Sequence, residues 1–175
     1  MKISMMIETP QYLKTIDPWS FSIYIAQREF IREALPEAVS RFRSVTYVYY
    51  NPGMRLFTPD PQSNIQCIQI MSYDELFNTI IDSKSNLLLI EYSDEWFIDC
   101  PDMIPEFGKL CRAHTWNKGA VVLLSVKMKY GIRTLHSSIK TIKWIMGDSY
   151  YLPGQDAVNE NAGSPVREYE QQMLC

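Results

Sequence analysis

The chain lacks both the glycine-rich motifs that bind phosphates and the long apolar runs that cross membranes. Neither G-x-x-x-x-G-K-S/T nor G-x-G-x-x-G occurs among its 175 residues, so a phosphate-binding loop is not indicated. No apolar run approaches the roughly 18 residues that a membrane-spanning helix needs. The net charge of −3 gives no sign of a basic surface for nucleic acid. We therefore expect a protein that neither spans a membrane nor binds nucleic acid.

Side chains that could hold a metal ion are also scarce. The cysteines lie at positions 67, 100, 111 and 175 and form no C-x-x-C pair, and the histidines are His114 and His136. Cys111 and His114 have a metal-like spacing, but a structural zinc site needs four ligands and no second pair accompanies them. We predict no metal site and no cofactor, and we expect free thiols, as in a reducing compartment.

The first residues carry no recognisable signal for secretion. The segment MKISMMIETPQYLK has neither a long apolar core nor a small-residue cleavage site. Glu8, together with the absence of arginine before Arg28, makes it a poor mitochondrial presequence. We expect an intracellular protein, located in the cytosol or in an organelle such as the mitochondrion.

Residues 1–66 are predicted to form an N-terminal α/β extension. Asp17 followed by Pro18 is typical of a helix start. Apolar residues then recur at roughly helical spacing, which predicts a helix that Pro36 kinks or splits. A strand and a linker complete the extension, at 44–50 and 58–64.

Residues 67–175 are predicted to form the main domain, in which strands and helices alternate. Ser72 and Glu75 have the spacing of a capping box at a helix start. The predicted strands cover 67–71, 86–92, 120–126, 141–146 and 149–152, and the predicted helices cover 72–82, 100–114 and 164–174. The order β-α-β-α-β, a connector and β-β-α predicts an α/β fold. Its central mixed sheet is flanked by helices on both faces and contains a hairpin of the strands at 141–146 and 149–152.

One stretch of this domain, at 87–111, resembles a known family. An apolar strand leads to Trp96, a short loop ends at Cys100, and Pro105 follows five residues later. This order resembles the thioredoxin and protein disulfide isomerase family, whose active loop reads Trp-Cys-x-x-Cys. The resemblance covers roughly 67–175 and implies a thioredoxin-like fold for that part of the chain.

The resemblance also implies that the family's redox chemistry has been lost. Its active loop corresponds to a degenerate loop of Trp96, Phe97, Ile98, Asp99 and Cys100. Phe97 replaces the attacking cysteine and Cys100 matches the resolving one, so dithiol exchange is not expected. Glu91 falls at the family's buried-acid position, with Leu123 near the position of its lysine partner. Lys140 replaces the proline whose peptide bond is cis in the family.

Three functions therefore remain open. The leading hypothesis is a redox-inactive, non-enzymatic thioredoxin-fold protein that serves as an interaction subunit of a larger protein assembly. A second is an oxidoreductase that uses Cys100 as its single thiol. A third is an α/β scaffold of the nucleotide-binding type that keeps an acidic strand end but has no phosphate loop. The acids at 94, 95, 99, 102 and 106 could bind a cation or a basic partner, although such clusters more often mark a solvated helix start.

Overall fold

A seven-stranded sheet forms the centre of the structure, a computed structural model that describes residues 16–138, 143–146 and 167–170. The strands are β1 (Phe21–Ile25), β2 (Val45–Tyr49), β3 (Ile65–Gln69), β4 (Leu87–Glu91), β5 (Ala120–Ser125), β6 (Lys143–Met146) and β7 (Arg167–Glu170). Their order across the sheet is β3-β2-β4-β5-β1-β6-β7. Neighbouring strands are parallel, except that β7 runs antiparallel to β6.

Among the described residues, four α-helices cover the two faces of this sheet. They are α1 (Arg28–Val39), α2 (Tyr73–Asp82), α3 (Ile104–Asn117) and α4 (Tyr130–Ser138). The buried side chains of α1 pack on one face, whereas those of α2, α3 and α4 pack on the other. The chain crosses from β1 to β2 in one direction and from β3 through β6 in the other, so right-handed crossovers place the helices on opposite faces.

The continuous apolar runs form the middle of the sheet, as predicted. In β4 the residues Leu87–Ile90 are fully buried, and so is β5 from Ala120 to Leu124. Alternate side chains enter the two cores: Leu88 faces the core under α2, α3 and α4, and Leu89 faces the core under α1. A strand covered on both faces needs apolar residues at every position, which is the pattern that the sequence shows.

The α/β class, the mixed sheet and the helices on both faces are confirmed, but the predicted boundary between residues 66 and 67 does not divide the sheet. β4 and β5 pair directly with each other, but β2 separates β3 from β4 and β1 separates β5 from β6, so residues 67–175 form no sheet of their own. Pairing between distant strands leaves no local sequence pattern, so the sequence did not predict that strands on both sides of this boundary share one sheet.

The single long helix predicted after Asp17-Pro18 is wrong in its first part. Phe21–Ile25 is strand β1, whose residues are all buried, and the helix begins only at Arg28. The run FSIYI is rich in aromatic and β-branched residues and sits in the sheet interior, so burial on both faces outweighs the approximate helical spacing. Pro36 lies inside α1 and does not split it.

The end of the chain also differs from the prediction. The predicted connector after β5 contains helix α4, and β6 pairs with β1 on one side and β7 on the other. The predicted hairpin strand at 149–152 lies outside the described residues. The helix predicted at 164–174 is wrong at 167–170, which forms β7.

Helix α2 begins as its capping box predicts. The hydroxyl of Ser72 accepts a hydrogen bond from the backbone N–H of Glu75 at 3.3 Å. The Glu75 carboxylate reaches back to the N–H of Met71 at 2.8 Å, one residue before the usual partner.

His114 provides a pH-dependent contribution to stability. Its ring is buried, and burial lowers the pKa of the imidazole. The unfolded chain therefore binds the proton first, so this contribution is complete above the unfolded pKa of about 6.5 and is lost as the pH falls below it. In urea unfolding between pH 7.5 and pH 5.5, the wild type is expected to lose stability faster than His114→Gln, by up to about 1.4 kcal/mol per pH unit. Parallel pH profiles for the two proteins would contradict this assignment.

Candidate functional site

A cleft of about 540 Å³ opens at the carboxyl ends of the central parallel strands. We call it the carboxyl-end cleft. Its walls come from the last residues of β4 and β5 and from the residues that follow β1, β2, β4 and β5, namely Arg28, Tyr50, Asn51, Met54, Leu56, Glu91, Tyr92, Ser93, Glu95, Leu124, Ser125, Val126, Lys127 and Lys129. Its size falls within the range of ordinary small-molecule sites.

The topology of the sheet places the cleft. After β1 the chain turns to the face that α1 covers, whereas after β4 and β5 it turns to the opposite face. The connections therefore diverge at the carboxyl edge and leave a gap between them. In open α/β sheets this kind of switch point is where ligands bind.

Glu91 ends β4 and fixes one wall of the cleft. Its Oε2 accepts a hydrogen bond of 2.5 Å from the hydroxyl of Tyr47 and one of 2.9 Å from the backbone N–H of Leu56. The Tyr47 hydroxyl in turn accepts a hydrogen bond from the N–H of Phe57 at 3.3 Å. Burial, and then the charge of Glu91, raise the pKa of Tyr47, which keeps its phenol protonated as a donor. The acid that the sequence singled out thus holds the segment after β2 in place.

Lys129 forms the opposite wall, just before α4. Its ammonium donates to the backbone carbonyl of Tyr92 at 2.7 Å and lies 5.8 Å from the centre of the Tyr92 ring. Burial lowers the pKa of Lys129, and the charges of Asp94 and Glu91 act in the opposite direction. Asp94 also accepts a hydrogen bond from the N–H of Gly131 at 3.1 Å, so the start of α4 is attached to the end of β4.

The connection between β1 and α1 is too short to cradle a phosphate. Only Ala26 and Gln27 separate the strand from the helix, and neither is a glycine. A phosphate loop at this junction needs several glycine-containing residues whose N–H groups wrap around the ligand. Arg28 instead donates to the carbonyls of Met54 and Arg55, both at 3.1 Å, and so helps to hold the cleft wall.

The predicted degenerate loop lies beside the cleft. Its first two side chains are buried in the core and the next two are exposed. Trp96 is buried and its indole N–H donates to the carbonyl of Ile70 at 2.8 Å. Phe97 is also buried, with its ring 6.2 Å from that of Tyr92 and 5.5 Å from that of Phe107. The side chain that the sequence resemblance placed at a nucleophile position therefore packs in an aromatic core.

The helix predicted to start at Cys100 begins later. Cys100 is half-buried and precedes a 3-10 turn at Pro101–Met103, and α3 starts at Ile104. Pro105 lies in the first turn of α3, where a missing N–H costs nothing. The 3-10 turn runs directly into α3, so Cys100 stands one turn before the α-helix and at the start of a continuous helical segment.

The remaining predicted site residues are placed as follows. Ile98 and Asp99 are exposed, while Lys140 lies outside the described residues. Leu123 is buried, and the β5 residue opposite Glu91 is Leu124, also buried, whereas Lys129 from the next connection is a cation whose charge interacts with Glu91. The sequence interpretation missed Tyr47 and Lys129 at this site. The signal available for both is that they sit at or beside the carboxyl end of a strand.

Clustered metal ligands and membrane-spanning helices are not seen in the part of the chain that the structure describes. There, no three His, Cys, Asp or Glu side chains come together as metal ligands, and no helix is long and apolar enough to cross a bilayer. Cys67, Cys100 and Cys111 are free thiols, and burial raises the pKa of Cys111. No protein-family model matches the chain, and no curated protein matches it either.

Proposed function

We propose that the chain is a non-catalytic α/β domain that binds a small anionic molecule in its carboxyl-end cleft. The observation that carries this proposal is a cleft of about 540 Å³ at the switch point of a parallel sheet, with Arg28, Lys127 and Lys129 on its walls. It corresponds to an α/β scaffold of the nucleotide-binding type without a phosphate loop.

The cleft carries three cations against two acids, Glu91 and Glu95, and this excess of positive charge favours an anion over a cation. Glu91 already accepts hydrogen bonds from Tyr47 and from Leu56, so its negative charge is partly compensated within the protein. Lys129 has three N–H donors, of which one donates to the Tyr92 carbonyl and two can donate to a ligand. Lys127 is exposed at the rim. These donors suit a carboxylate or phosphate group.

The walls also offer an apolar surface for the rest of a ligand. Tyr50, Met54, Leu56 and Val126 line the cleft between its charged ends. A small molecule with one anionic group and a flat or apolar body meets both kinds of wall. Hydrolysis of a bound nucleoside triphosphate is not part of the proposal, because the connection Ala26–Gln27 provides no phosphate cradle.

Lys127→Glu tests this proposal. Binding of inorganic phosphate, AMP, ADP and ATP would be measured by isothermal titration calorimetry on the full chain at low ionic strength. At least one of these probes is expected to bind the wild type, and Lys127→Glu is expected to weaken it by about 10-fold, since one attraction becomes a repulsion. Arg133→Glu removes an exposed cation of α4 outside the cleft and is expected to leave binding unchanged.

Two outcomes of this titration would contradict the proposal. The first is that none of the four probes binds. The second is that Lys127→Glu and Arg133→Glu weaken binding equally, because the ligand then responds to the overall charge of the protein and not to the cleft.

A second candidate function is a redox-inactive interaction subunit of a larger assembly. This proposal is supported by the resemblance of the segment after β4 to the thioredoxin family. The resemblance consists of Trp96, Cys100 and the helix after them. Burial of Phe97 in an aromatic cluster favours a structural role for this segment over a single-thiol enzyme that uses Cys100. Alkylation of the folded chain distinguishes the two: rapid, selective labelling of Cys100 would favour the enzyme.

A further inference from the structure

A second surface lies at the opposite end of the sheet from the cleft. We call it the amino-end patch and define it by Ile81, Lys84, Arg112, Trp116 and Lys118. Trp116 is 71% exposed and Ile81 is 53% exposed, so two large apolar side chains face solvent here. Exposed apolar side chains that are ringed by charges mark many protein interaction sites.

Contacts between α2 and α3 bring this patch together. The ammonium of Lys118 donates to the carbonyl of Ile81 at 2.7 Å, which brings the ends of the two helices together. The guanidinium of Arg112 lies 5.8 Å from the centre of the Trp116 ring, one helical turn away. An arginine stacked on an exposed tryptophan is a combination enriched at binding hot spots.

The other end of α3 carries a surface of opposite character. We call it the acidic loop and define it by Glu95, Ile98, Asp99 and Asp102. All four are exposed, and Ile98 is 70% exposed. Among the described residues, Trp116 and Ile98 are the two most exposed large apolar side chains.

Helix α3 separates the two surfaces along its own axis. Its 14 residues span about 21 Å, so the acidic loop of one molecule cannot reach the patch of the same molecule. The helix dipole accounts for acids at the start of α3 and bases near its end. It does not account for an exposed isoleucine at one end and an exposed tryptophan at the other.

We propose that the amino-end patch binds the acidic loop of a second copy of this chain, head to tail. Ile98 of one copy packs against Trp116 and Ile81 of the next. Around this contact, Asp99 and Asp102 face the three cations of the patch, which outnumber its adjoining acid, Asp82. We favour a second copy as the partner because the charges are complementary: the patch is basic and the acidic loop of the same chain is negatively charged.

This geometry has two consequences for assembly. The contact joins two different surfaces, so each copy keeps one free surface of each kind and the association does not stop at a dimer unless a ring closes. The opposite charges are exposed, so added salt weakens the association.

The test is sedimentation velocity on the full chain at low ionic strength. The wild type is expected to form species larger than a monomer, and these are expected to shrink on dilution and on addition of salt. A patch variant, Lys84→Ala with Trp116→Ala, and a loop variant, Ile98→Ser with Asp99→Asn, each remove one surface. Each variant alone is expected to associate at least ~10-fold more weakly than the wild type. Far-UV circular dichroism verifies that both fold, since all four positions are exposed.

Mixing the two variants makes the test specific. The patch variant keeps its acidic loop and the loop variant keeps its patch, so an equimolar mixture is expected to form a one-to-one dimer and nothing longer. Tyr130→Ala removes an exposed aromatic side chain outside both surfaces and is expected to leave the association unchanged. The proposal is overturned by a wild type that stays monomeric, by variants that associate like the wild type, or by a mixture that stays monomeric.

Discussion

Replacing Phe97 by Cys is expected to destabilise the protein by about 3 kcal/mol without creating disulfide-exchange activity. The Phe97 ring is buried between Tyr92 and Phe107, so the smaller side chain leaves a cavity in the aromatic core. The variant restores the spacing Cys-x-x-Cys with Cys100. The new thiol, however, points into the aromatic core, where a disulfide substrate does not reach it.

Urea unfolding and a disulfide-reductase assay measure the two halves of this prediction. Ile98→Cys is the matched control, because it places a cysteine one residue later at a position that is 70% exposed. We expect the control to change the free energy of unfolding by less than about 0.5 kcal/mol. The prediction is contradicted by a Phe97→Cys protein that is as stable as the wild type and turns over a disulfide substrate. The loop would then be a redox site that lacks only the attacking cysteine.

Replacing Glu91 by Ala is expected to destabilise the protein by about 3 kcal/mol, the second large effect. The substitution removes the acceptor for the Tyr47 hydroxyl and for the Leu56 N–H, and both donors lie in a partly buried site. Hydrogen bonds to a charged group contribute about 1.5–3 kcal/mol, and a buried donor left without a partner adds its desolvation cost. Glu95→Ala, the exposed acid of the same cleft, is the control and is expected to change stability little.

A double-mutant cycle with Tyr47→Phe isolates the contact between the two side chains. If the Tyr47 hydroxyl acts through Glu91, the double variant is expected to be more stable than the sum of the single losses predicts, by about 1–2 kcal/mol. Strictly additive losses, measured by urea unfolding at pH 7, would contradict a direct coupling. The same variants are expected to loosen the segment from Met54 to Phe57, which forms a wall of the cleft.

Prediction from sequence succeeded where a local pattern carries the physical cause. The buried strands β4 and β5 read as continuous apolar runs because both of their faces are covered. The start of α2 was predicted from Ser72 and Glu75, since capping hydrogen bonds involve residues only a few positions apart. Burial of Phe97 and the start of α3 at Ile104 were not predicted, because both depend on neighbours from other elements.

The candidate site shows the same division. Glu91 was recognised as an acid at a strand end, but its sequence context gives no hint of the Tyr47 hydroxyl, 44 positions earlier. Lys129 was not singled out, because what distinguishes it is the carbonyl of Tyr92, 37 positions away. Such contacts form only when the strands align, so neither residue can be assigned from its neighbours in the chain.

By itself, the sequence determined that this is an α/β protein with apolar central strands, no phosphate loop and no C-x-x-C pair. Composition, periodicity and short motifs are sufficient for each of these statements. Only the tertiary structure decided that β1 and β2 lie inside the sheet and not in an extension, and that a cleft opens after β1, β2, β4 and β5. The physical reason is that strand order arises from hydrogen bonds between distant segments. The register between neighbouring strands depends on which side chains the whole sheet buries. It therefore cannot be predicted from any single stretch of the sequence.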